Sequence, residues 1–132
     1  MNSLVFDKEP PPFAAPPYAR DELLHEMLAD TAAVSARSPA LRLADPDLSS
    51  CRRSRLTYGE LVQRSTQIAC FLRAKGIVRG DRVVICLPRS LDQIAGLVGI
   101  MQAGATYVPV DWDCPTDRID LLVNDSNAKL II

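Results

Sequence analysis

Residues 80–115 read GDRVVICLPRSLDQIAGLVGIMQAGATYVPVDWDCP, and this stretch decides the fold. Val83, Val84, Ile85, Cys86 and Leu87 form an apolar run without alternation. Such a run suits a parallel strand covered on both faces, here expected over residues 82–87. Pro88 stops it, and Ser90 and Gln93 have the spacing of a capping box. Leu91, Ile94, Leu97, Val98 and Met101 then recur at helical spacing. Gly104 stands where a left-handed helix end is wanted. A second strand is expected over residues 105–110, closed by Pro109 and Asp111. Strand, helix and parallel strand make a βαβ unit with a right-handed crossover.

Upstream, Thr57 and Glu60 form a second capping box in the segment LTYGEL, residues 56–61. The helix they open carries Leu61, Ser65, Ile68, Ala69 and Leu72 on one face. Arg73 and Lys75 complement its C-terminal dipole, and Gly76 ends it. Residues 77–81 turn into the central strand. They include Arg79-Gly80-Asp81, a tripeptide known from adhesion ligands that reads here as a turn.

Leu41 and Leu43 alternate around Arg42, which predicts a short strand over residues 40–43. The polar segment 45–55 connects it as a long hairpin back to Leu56. A first helix is expected over residues 21–36, with Asp21 and Glu22 at its N-terminus. Its apolar face would be Leu24, Met27, Leu28, Thr31 and Val34. Residues 1–19 hold Pro10, Pro11, Pro12, Pro16 and Pro17, and read as an extended lead-in or linker.

Downstream, Asp113 or Cys114 would cap another helix, with Pro115 in its first turn. Ile119, Leu122 and Val123 give it an apolar face. Ser126 and Asn127 turn the chain, and residues 129–132 open a third buried strand in which the sequence stops. No internal repeat is visible.

The 132 residues carry a net charge of −1, so no basic field exists to hold a nucleic-acid backbone or an anionic membrane. Arg52, Arg53 and Arg55 cluster in a polar loop and read as solvated. The N-terminus lacks the charged start and apolar core of a signal peptide. Residues 94–110 are apolar, but Gln102, Gly104, Thr106 and Pro109 interrupt them as no membrane span would allow. Cys51, Cys70, Cys86 and Cys114 show no CxxC pairing. Cys70 and Cys86 fall at apolar positions of a helix and a strand, and buried free thiols in a reducing, cytoplasmic setting are the expectation rather than a disulfide framework.

Candidate chemistry is sparse. GIMQAGAT, residues 99–106, has P-loop glycine spacing, but Ala105 replaces the lysine and Gly99 lies inside a helix. Gly96, Gly99, Ala95 and Ala103 read instead as small residues that let this helix approach the sheet. Arg89, beside a helix start, is the one candidate anion contact after a strand. Asp111 and Asp113 pair near the C-terminal end of a strand, where open α/β sheets bind ligands. Without a metal partner in view they read as caps and turn formers. Trp112, between them, could be a lid or could cover core. The single histidine, His25, has no acid, thiol or second histidine at ligand spacing and reads as a surface residue.

LTYGEL resembles the first core motif of adenylation domains: leucine, serine or threonine, tyrosine, any residue, glutamate, leucine. MQAGATYVPVD, residues 101–111, resembles the second through Ala103, Gly104, Tyr107, Val108, Pro109 and Asp111. Met101, Gln102, Thr106 and Val110 stand where leucine, lysine, alanine and leucine are usual, and Cys114 replaces the usual tyrosine before Pro115. The likeness covers residues 20–132, in order and spacing. It is to the adenylate-forming superfamily, in particular the amino-acid-activating domains of nonribosomal peptide synthetases.

The resemblance implies an α/β fold: a parallel sheet with flanking helices, the opening portion of the large N-terminal subdomain, incomplete here. Residues 20–132 would be a partial adenylation (AMP-binding) domain. Relatives activate a carboxylic or amino acid with ATP and Mg2+ to an acyl-adenylate. They then pass the acyl group to a thiol, commonly the phosphopantetheine of a carrier protein. The implied partners are the remainder of the adenylation domain and, beyond it, carrier and condensation domains. The family's phosphate loop, specificity pocket, ribose-binding aspartate and catalytic lysine would lie past position 132. No catalytic, cofactor-binding or metal-binding residue is therefore expected here, and the chain alone should be inactive. Two other classes fit the pattern: a stand-alone, non-catalytic α/β interaction module, and a small flavodoxin-like nucleotide-binding protein.

Overall fold

The computed structural model describes residues 22–43 and 55–132. The proline-rich lead-in, Asp21, Cys51, Arg52, Arg53 and nearly all of the 45–55 connection lie outside them. The elements in chain order are α1 (Leu24–Ser35), β1 (Pro39–Arg42), β2 (Arg55–Thr57) and α2 (Tyr58–Ala74). Then come β3 (Arg82–Ile85), α3 (Leu91–Gln102), β4 (Thr106–Pro109), α4 (Thr116–Ser126) and β5 (Leu130–Ile131).

β1 and β2 pair antiparallel, so the chain does return to Leu56 as a hairpin. The main sheet has the order β4-β3-β5, parallel throughout. Right-handed crossovers on that order send α3 and α4 to opposite faces, because the chain steps outward from β3 and then back across it. Val83 and Ile85 face α2 and α3, clustering with Ala69, Leu72, Ile100 and Ala103. Val84, pointing the other way by strand alternation, is also fully buried.

Among the described strands only β3 is covered on both faces. The edge strand β4, expected to be buried, leaves Thr106, Tyr107 and Pro109 exposed. Pro109 has no N–H to give a ladder, which suits the edge it occupies. The strands are also shorter than expected, since β3 ends at Ile85, though Cys86 still donates its N–H to Ile132 O at 2.8 Å.

A second core holds Leu56, Leu61, Leu91 and Ala95, with Leu28, Ala40, Leu41 and Leu43 packed against it. The first helix starts later than expected, at Leu24, and its apolar face is rotated. Leu24 and Val34 are exposed, and Met27, Leu28, Ala32 and Ser35 turn inward. No residue of α1 is fully buried.

Two glycines of α3 permit close approach, to different partners. A Cβ on Gly96 would lie 2.9 Å from Ile85 Cδ1, on the sheet. A Cβ on Gly99 would lie 2.8 Å from Ile68 Cβ and from Ser65 O, on α2. Gly99 thus seats α3 against its neighbouring helix rather than the sheet, a contact that helical spacing alone does not locate. Buried Ser65 satisfies its own hydroxyl by donating to Val62 O at 3.0 Å.

Candidate functional site

The C-terminal ends of β3 and β4 form one edge, the end at which parallel sheets of this kind bind ligands. Two segments, 86–90 and 110–115, make that edge. In the first, Ser90 Oγ accepts the Gln93 N–H at 3.1 Å and caps α3. The expected capping box is half formed. Gln93 turns its side-chain amide to Leu87 O at 3.2 Å instead of to the Ser90 amide. The helix start is thereby tied to the strand exit. Arg89 is exposed, and no glycine stands beside it to let backbone amides wrap an anion.

In the second segment, Val110 N–H reaches back to Ile85 O at 3.0 Å, and the chain then turns. Asp111 O accepts the Cys114 N–H at 3.1 Å and the Cys86 thiol at 3.8 Å. Asp111 and Asp113 are exposed, and Trp112, 61% exposed, covers no core. The turn borders a cleft of about 390 Å³ that also involves Arg118 and Leu122. Neither Asp113 nor Cys114 caps α4. Pro115 itself occupies the N-cap position, its carbonyl accepts the Arg118 and Ile119 amides, and no side chain caps the helix. Asp113, two residues earlier, stands outside the cap position. Among the described residues no three His, Cys, Asp or Glu side chains converge to hold a metal.

Other singled-out residues lie away from this edge. Gly99 and its neighbours sit inside α3, where no P-loop could form. His25 is half-buried beside Leu23, Arg79 and Gly104, at the opposite end of the sheet. Gly80 has φ +89°, and Asp81 spends its carboxylate internally, on Val78 N–H at 2.8 Å and Lys129 Nζ at 2.8 Å. The Arg79-Gly80-Asp81 tripeptide is thus a turn. The Lys129 hydrogen bond, helped by the Val78 amide, holds the Asp81 carboxyl below its ordinary value.

Sequence reading missed an apolar groove of about 430 Å³ where α2, α3 and the end of β5 meet. Ile68, Phe71, Leu87, Gly96 and Ile132 line it, and Arg64 and Asp92 form an ion pair at its rim. Its members come from distant positions, and only Gly96, read as a close-approach residue, hinted at a hollow. No helix among the described residues is long and apolar enough to cross a membrane.

The profile of a family described as AMP-binding enzyme matches residues 28–132. Bacitracin synthase 1 of Bacillus licheniformis is 37% identical over 115 residues, covering 87% of this chain and 2% of its own length. Syringomycin synthase SyrB1 of Pseudomonas syringae pv. syringae is 40% identical over 119 residues, covering 90% of this chain and 18% of its own length. The solved structure of VinN with 3-methylaspartate superposes with a TM-score of 0.72 at 26% identity. That match covers 83% of this chain and 28% of the VinN chain. The chain thus spans a small part of each protein it matches.

Proposed function

The chain belongs to the AMP-binding enzyme family, and from that premise we propose that it is the opening scaffold of an adenylation domain. The family match from residue 28 to 132 carries this reading, since it holds both core motifs in order. Within that scaffold Thr57 and Glu60 close a helix cap, and Gly104 turns α3 into β4. Both motifs therefore have structural work. The parent enzyme would activate a carboxylic or amino acid with ATP and Mg2+, forming an acyl-adenylate and releasing pyrophosphate. A thiol, the phosphopantetheine arm of a carrier protein, would then take the acyl group. Adjoining carrier and condensation domains are the corresponding partners, and the cytoplasm the corresponding location. Residues 20–132 are assigned to the domain and 1–19 to a linker.

In this reading the described residues do no bond-making. They set the edge at which β3 and β4 end, and they contribute no catalytic, nucleotide-binding or metal-binding group of their own. The test is exchange of labelled pyrophosphate into ATP. The 132-residue chain is expected to give none with any amino or aryl acid, and the longer native protein is expected to give it with one acid. Acid-dependent exchange by the short chain would overturn the assignment of these residues as scaffold. Absence of exchange from the long protein with every acid would overturn the activity.

A further inference from the structure

Cys86 and Cys114, both half-buried at the C-terminal edge of the sheet, meet at a single carbonyl, Cys86 through its thiol and Cys114 through its backbone amide. Asp111 O accepts the Cys86 S–H at 3.8 Å and the Cys114 N–H at 3.1 Å. The two residues are therefore neighbours across the gap between the β3 exit and the β4 exit turn. Cys70, expected to be buried, is exposed instead, because the inward face of α2 is taken by Leu61, Ser65, Ala69 and Leu72. Cys114 also stands where the resemblance calls for tyrosine, so the second thiol is a departure of this chain from its family pattern. The turn that carries Cys114 has no side-chain cap to fix it, because Pro115 begins α4 uncapped. It is held by the Cys114 backbone hydrogen bond and by the Cys86 thiol, a weak donor. Small movements of such a turn cost little, and a disulfide needs the two Cα atoms within about 7 Å.

We propose that Cys86 and Cys114 are a redox-sensitive thiol pair that a small-molecule disulfide converts into an intramolecular disulfide, fastening the β4 exit turn to β3. The thiolate of one cysteine attacks the small disulfide, forms a mixed disulfide and releases one small thiol. The second cysteine, as thiolate, attacks the protein sulfur of that mixed disulfide and releases the other small thiol. Two electrons pass from the protein to the oxidant, and the two protons lost by the cysteines end on the two released thiols. The bond would replace a weak S–H contact by a covalent one at the edge where ligands of such sheets bind.

The test uses oxidised glutathione on the 132-residue chain carrying Cys51→Ser and Cys70→Ser, followed by non-reducing peptide mapping. A peptide pair linked through Cys86 and Cys114, with no retained glutathione, is expected. Formation should be at least about tenfold more favourable in buffer than in concentrated urea, since folding brings the pair together. Two glutathione adducts without an internal link, or equal formation in buffer and urea, would overturn the proposal. The same mapping on the four-cysteine chain covers the case in which the double variant fails to fold. There, links from Cys86 to Cys51 or Cys70 in place of Cys114 count against the pair.

Discussion

At the scale of single residues, the side chains that matter most are small or charged and sit at junctions. Gly99 is the sharpest case, because the atoms in the way of a Cβ include backbone and the branched Cβ of Ile68, 2.8 Å off. Gly99→Ala is expected to cost about 1–3 kcal/mol through overpacking, read as a lowered urea midpoint. Thr57 Oγ1 accepts the Glu60 N–H at 3.3 Å, and Glu60 returns a carboxylate oxygen to the Thr57 N–H at 2.9 Å. Thr57→Ala should therefore cost about 1 kcal/mol in the same melts, and no measurable change would place the helix start elsewhere. Asp81 supplies the pH dependence. The Lys129 hydrogen bond and the Val78 amide depress its folded-state pKa, so its contribution is present above the ordinary carboxylate value. It is lost as pH falls through the depressed folded-state value. The stability gap between the wild-type chain and Asp81→Asn should be full near neutrality and close below the ordinary carboxylate range. A gap that persisted unchanged in acid would mean that the Asp81 charge is not what stabilises the turn.

At the scale of elements, three helices end alike. After α2, Gly76 N–H bonds Arg73 O and Ile77 N–H bonds Leu72 O. After α3 the same pair of bonds runs from Gly104 to Met101 and from Ala105 to Ile100, and after α4 from Asn127 to Asn124 and from Ala128 to Val123. The turning residues have φ of +83°, +82° and +50°. Each is a Schellman motif that closes its helix on a left-handed residue. A Cβ at Gly76 would meet nothing within 4 Å, so only backbone conformation opposes a side chain there. Gly76→Ala should cost about 1 kcal/mol and Gly76→Asn less, because asparagine tolerates the left-handed region, as Asn127 does. Equal losses in urea melts would sink that ordering. The two glycine ends, both helix N-caps and the βαβ unit were legible in the sequence, because caps and glycines act locally. The repetition of the helix end was not, since its third instance uses asparagine in place of glycine. The Gln93 side chain and the α4 cap were misread, because a box motif fixes spacing and not where a flexible amide turns. Of the candidate edge, the position of Asp111 and Asp113 just beyond the end of β4 was legible. The Cys86 contact was not, because it joins two strands through tertiary structure.

At the scale of the whole molecule, 132 residues give β3 two faces of cover and its neighbours much less. Phe71, Leu121 and Ile131 are each about half exposed or more, and β4 and β5 both present an outer edge among the described residues. Unpaired strand edges recruit other chains, and a lysine on such an edge discourages it. The 132-residue chain should self-associate in light scattering, and Ile131→Lys should reduce that association. Scattering that stays at the monomer mass at every concentration would contradict both expectations. The strand order also sets a timetable. β3 finds one partner, β4, across a single short helix, but its other partner arrives only with Leu130, which pairs with Val83. On a ribosome the local unit β3-α3-β4 can close while α4 is still being made, whereas the second flank of β3 must wait until Leu130 has been added. Until then the most deeply buried of the described strands has one side open. A translational pause between Ser126 and Leu130 would lengthen that interval, and a chaperone that shields extended apolar chain would find its best target in the free side of Val83 and Val84.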